Sequence, residues 1–249
     1  MLVIWGLNMG RMTIKDIIID SLKYSASDLK ILLLLGMVLV IADIGDELSF
    51  IGELSETVKL LISAVVIIIA IFEAGYVFRI IEETVKGSNS LPRLTNFKTM
   101  FVHGLSETLL ILIYFAVPLV ALMLFFSFMI SNSIDDVSFV SGMILIIVIG
   151  VAVSVFMLFP AVMLHRANGN CDLRSSFDLR AIYHKIRNVG LKRLMIVYFT
   201  IIVIVAMVRE ILVPSMDGVL PLIIGIILDL LITPYLLIFT SRVLGLLDN

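Results

Sequence analysis

Asp229 is the one carboxyl in an otherwise apolar run, IIGIILDLLITPYLLIF, and it lies five residues ahead of Pro234. At the centre of a membrane helix such a group costs about 2.5–3.5 kcal/mol on insertion scales, so its presence needs a reason. One reason is a proton or cation relay, with Glu73, inside a second apolar run, as the other carrier. The other is structural: a protonated carboxyl bonded to a neighbouring helix, or an acid met by Arg79 or Arg242 drawn inward. Glu107 opens a third run and reads as an interfacial group. Tyr76 and Arg79 stand one helical turn apart at the end of the Glu73 run. Together they can hold a lipid phosphate, although Tyr and Arg also serve as plain interfacial anchors.

Enzyme chemistry has no comparable footing. The chain holds no H-E-x-x-H, Walker A, G-x-S-x-G or G-x-G-x-x-G pattern. Its histidines, His103, His165 and His184, are scattered, and Cys171 is the single cysteine, a free reduced thiol in a connecting loop. No catalytic, cofactor or metal residue is therefore assigned, and the chain is expected not to be an enzyme. A net charge of −2 gives no global basic field for nucleic acid.

The elements that position these groups follow from composition. Hydrophobic residues make up 61% of the 249 and charged residues only 15%, with a mean hydropathy of +1.16. Soluble domains run nearer half and a quarter, and one soluble core cannot hide the excess. Lipid is then the second solvent. A hydrocarbon core of roughly 30 Å takes about 20 apolar residues in helix. Residues 58–81, 108–130, 137–164, 191–213 and 219–244 meet that need, and 29–50 is a weaker sixth, ending in Asp43, Asp46 and Glu47. Basic residues decide whether it spans. Counting six spans places all but Lys59 and Arg209 of the 18 Lys and Arg on one side. The positive-inside rule makes that side the cytoplasm, with both termini there. The expected fold is all-α and polytopic, with residues 13–249 as one six-span domain behind an uncertain extension, 1–12.

Three amphipathic stretches precede the odd-numbered spans: Ile14, Ile17, Ile18 and Leu22; Phe97, Met100, Phe101 and Leu105; Leu179, Ile182, Ile186 and Val189. They are expected to lie on the cytoplasmic interface, basic side chains near anionic headgroups, or else to pack on the bundle as connecting helices. Asp16, Phe97 and Asp178 recur at equal spacing. Arg79 then Gly87, Arg166 then Gly169, and Arg242 then Gly245 follow the even spans. This pattern suggests three repeat units, 13–94, 95–175 and 176–249, each a surface helix with a helical hairpin. Ala70 with Ala74 and Gly150 with Ser154 are small-residue pairs that permit close helix approach, and Pro118, Pro160 and Pro234 are candidate kinks.

Gly75-Tyr76-Val77-Phe78-Arg79, then Lys86-Gly87, Leu91-Pro92 and Phe101-Val102-His103-Gly104-Leu105 resemble a mostly archaeal family of multi-pass membrane proteins, domain of unknown function 4013. The likeness runs more loosely through Phe159-Pro160 and Phe177, while Arg93-Leu94-Thr95-Asn96-Phe97 lacks the family's acidic and aromatic character after Leu-Pro. The resemblance implies a prokaryotic cell membrane and carries no activity or site residue with it. The functional expectation is a permease or transport-associated membrane component. The alternatives are a structural or lipid-organising protein, whose working parts are the surface helices, and last a lipid-headgroup enzyme.

Overall fold

The computed structural model describes residues 12–49, 54–131, 139–169, 173–212 and 224–248, and among them the chain is helical without a strand. The helices are α1 (Ile14–Ser25), α2 (Leu29–Ser49), α3 (Glu56–Val85), α4 (Phe97–Ser131), α5 (Phe139–Asn168), α6 (Leu179–Val189), α7 (Leu191–Leu212) and α8 (Ile224–Leu246). A short 3₁₀ turn, Leu173–Phe177, precedes α6. The proposed extension 1–12 falls outside the described residues apart from Met12.

Local chemistry sets the short elements. Thr13 caps α1 by accepting from the Asp16 amide, and Asp28 accepts from the amides of Lys30 and Ile31 to start α2. Between them the chain turns by 80°. Asp178 caps α6 through the amides of Arg180 and Ala181, and Gly190, at φ +93°, ends it in a backbone region open to glycine.

The described residues of all six segments expected to span are helical. Four of them, α3, α4, α5 and α8, are long and apolar enough to cross a membrane, and the bent pair α1–α2 makes a fifth if counted as one span. Little of their apolar surface is covered by protein: Leu60, Leu112, Leu124 and Ile146 are each more than half exposed. Helices apolar all round and left uncovered need a non-aqueous solvent.

One expectation changes here, and for α6 the alternative of packing on the bundle holds. The stretch from Phe97 to Leu105 is no separate surface helix; it forms the first turns of the 35-residue α4. Nothing breaks the helix there, and at 1.5 Å per residue α4 reaches about 52 Å, well past the hydrocarbon thickness. The apolar face of α6 is turned inward, with Ile182, Ile186 and Val189 buried against the bundle while Leu179 and Tyr183 remain exposed.

The repeat glycines also do three different things. Gly87 takes φ +83°, Gly245 is pressed against Thr84, and Gly169 meets only ordinary contacts. Different physical demands at matched positions give the repeat units no support from packing.

Helix contact is closest where the backbone itself touches. A Cβ on Gly75 would fall 2.0 Å from the Met100 carbonyl oxygen, and one on Gly104 would fall 1.8 Å from that of Ile71. The glycines of α3 and α4 thus meet reciprocally, each against the turn preceding the other. Gly150, by contrast, has open space around it, and Ala70 and Ser154 are exposed, so neither expected small-residue pair forms a crossing. Gly75 and Gly104 take that part.

Candidate functional site

Asp229 lies in a π-helical segment, Leu228–Ile232, within α8. Proline explains why the register shifts there. In an α-helix Pro234 would deprive the Leu230 carbonyl of its donor and press its ring against it. The π turn takes up the mismatch, and the Thr233 amide reaches back to the Leu228 carbonyl. The Leu230 carbonyl lies against α2 at Gly36, where a Cβ would fall 2.0 Å from its oxygen. Only glycine lets the two backbones come this close. The Thr233 hydroxyl donates to the Asp229 carboxyl at 3.0 Å. Hydroxyl, carboxyl and an irregular run of backbone thus share one half-buried turn.

Glu73 does not join it. Its side chain is half-buried on α3, and the segment holding Asp229 packs on α2 rather than α3. Gly245 of α8 crosses α3 at Thr84.

Tyr76 and Arg79 are brought together, but on the protein's own backbone. Tyr76 is fully buried and its hydroxyl donates to the Pro92 carbonyl at 3.0 Å. Arg79 Nη1 donates to the carbonyls of Arg93 at 3.2 Å and Thr95 at 2.8 Å. The pair clamps the α3–α4 connection just before Asn96, whose φ of +60° reverses the chain into α4. Tyr76 therefore presents no hydroxyl to a lipid, whereas Arg79 stays partly exposed.

The strongest polar constellations are two arginines at the same end of the bundle. Arg166 of α5 forms an ion pair with Glu107 of α4, and neither is solvent-exposed; Phe78 lies under the guanidinium with its ring centroid 4.8 Å away. Glu107 is thus buried and paired, not interfacial as expected, because α5 covers that face of α4. Arg242 of α8 donates through Nε to Asp20 at 2.9 Å and through Nη2 to Asn89 at 3.0 Å. It also stacks over Tyr24 at 4.2 Å. Arg242 consequently does not reach Asp229; α1 supplies its acid instead. The sequence signal for both was the arginine closing each even span, and what it lacked was the partner. Other ties join the same end: Arg193 donates to the Met12 carbonyl at 2.9 Å, and Asp248 pairs with Lys185. Among the described residues, no group of His, Cys, Asp and Glu is arranged to hold a metal.

No curated protein and no solved structure matches the chain significantly. A family model does, described as a protein of unknown function (DUF4013), over residues 59–214. That range holds the Gly75–Gly104 crossing, the Tyr76–Arg79 clamp and the Glu107–Arg166 pair, and leaves Asp229 and Arg242 outside it. Matched over more than half its length, the chain belongs to the DUF4013 family.

Proposed function

We propose that this is a six-span integral protein of the cell membrane, both termini cytoplasmic, that acts as a permease or transport-associated component and not as an enzyme. The observation that carries the reading is the break in α8. Regular helix satisfies its own backbone, so irregular backbone in a spanning segment is tolerated where it lines a functional path or is buried in protein. Here the break coincides with the single carboxyl of its run, a hydroxyl bonded to it, and the glycine that lets α2 close on it. π turns of this kind recur at functional sites.

Asn at position 229 keeps hydrogen bonding and removes the charge. In cells lacking the native gene, Asp229→Asn is expected to insert and accumulate normally yet fail to restore the deletion phenotype. Restoration by Asp229→Asn would reject the transport reading. It would favour a lipid-organising protein, for which the exposed Leu179 and Tyr183 beside Arg180 and Arg187 on α6 supply the surface.

A further inference from the structure

A small cleft of about 90 Å³ opens between α3 and the first turns of α4, lined by Arg79, Glu82, Asn96, Thr99, Met100 and His103 among others. We infer that this cleft binds a phosphate oxyanion, borne either by a lipid headgroup or by free phosphate. Charge is the first argument. Arg79 spends one nitrogen, Nη1, on two carbonyl oxygens and forms no ion pair among the described residues. Glu82 is the acid of the cleft, and its carboxylate is taken by Lys86 one turn on, at 2.5 Å. A half-buried guanidinium whose hydrogen bonds go to carbonyl dipoles is an incomplete ion pair, and its planar fork suits a phosphate better than a point charge would.

Shape and donors are the second argument. The Gly75–Gly104 crossing holds α3 and α4 in backbone contact, so the cleft beside it is a fixed shape. Thr99 is exposed and offers a hydroxyl, and His103 is fixed by stacking on Phe78, centroids 5.5 Å apart at 20°. The α4 N-terminus begins at Phe97 on the same cleft, adding the positive end of a long helix to the side-chain donors. The volume suffices for one tetrahedral anion. Phe97 and Val102 are more than half exposed on the same turns of α4, an apolar rim suited to acyl chains.

The inference rests on the membrane reading only for the leaflet in which a lipid is met. The test uses the full chain in neutral detergent and in nanodiscs, which expose both faces, so a wrong topology does not silence it. Thermal melting is followed on titration with inorganic phosphate in detergent, and in phosphatidylcholine nanodiscs with and without phosphatidic acid. Wild type is expected to be stabilised in at least one arm. Thr99→Glu, which places a carboxylate in the cleft at an exposed position, is expected to melt like wild type without ligand and to bind at least about tenfold more weakly. Arg79→Gln is expected to weaken binding too, and Thr99→Glu keeps the test valid if losing the loop clamp unfolds it. Stabilisation by inorganic phosphate identifies the free anion as a ligand; stabilisation by phosphatidic acid alone identifies the headgroup. Absence of binding in both arms, or equal affinity in wild type and Thr99→Glu, overturns the inference.

Discussion

Arg166 and Glu107 are an ion pair closed from solvent on both sides, joining α5 to α4 over the ring of Phe78. A buried pair is costly to halve, because the survivor keeps its desolvation penalty without its partner. Glu107→Leu or Arg166→Met alone is expected to destabilise by about 3–5 kcal/mol, and the double variant by clearly less than the sum. Unfolding of the four proteins in one detergent checks this. Additive losses would show that the two groups do not hold each other.

The glycine crossing gives a sharper steric test. Gly75→Ala and Gly104→Ala each drive a methyl into a carbonyl oxygen of the opposite helix. Backbone cannot step aside as a side chain can, so the cost is expected at or above the upper end of the about 1–3 kcal/mol usual for overpacking. Gly150→Ala, at a glycine with nothing within 4 Å, is the matched control and is expected to be neutral or slightly stabilising. Folded yield and melting temperature of the three variants decide the matter.

Apolar runs are a one-dimensional signal, and they located the long helices among the described residues. Pairing is three-dimensional. Nothing at Glu107 itself distinguishes an interfacial acid from one covered by α5, and nothing at Arg242 announces that α1 folds back to bring Asp20 to it. The stretch from Phe97 to Leu105 has the same three–four spacing as α1 and α6, yet it carries no cap or breaker at its far end, and the helix simply continues. Gly75 and Gly104 were visible as residues of the family-like motif, while their contact depends on how α3 and α4 cross. At Asp229 the nearby Pro234 was legible; the π register and the glycine facing it were not.

Arg242 holds α1 to the bundle through Asp20, Tyr24 and the residues after α3. Arg242→Lys keeps the charge and loses the fork that serves several acceptors at once. Amide hydrogen exchange in Ile14–Ser25 is expected to quicken in this variant while α4 and α5 keep their protection. Unchanged exchange in α1 would show that Ile17 and its apolar neighbours dock the helix without the arginine.

Pro234→Ala restores the amide that the α-helical register requires at the Leu230 carbonyl. The π turn is expected to relax, rotating Asp229 by about 100° per residue of register relative to the rest of α8. Insertion and yield are expected to hold or improve, with complementation lost. Retained complementation would separate the break in α8 from the activity.

Topology is what the proposed function stands on, and thiol labelling measures it directly. After Cys171 is replaced, single cysteines are placed at Glu56, Ser133 and Ser215 on one side and at Ser90 and Tyr183 on the other. A membrane-impermeant maleimide applied to intact cells is expected to label Glu56→Cys, Ser133→Cys and Ser215→Cys, and to reach Ser90→Cys and Tyr183→Cys only after permeabilisation. External labelling of Ser90→Cys or Tyr183→Cys in intact cells would contradict the six-span arrangement with both termini in the cytoplasm.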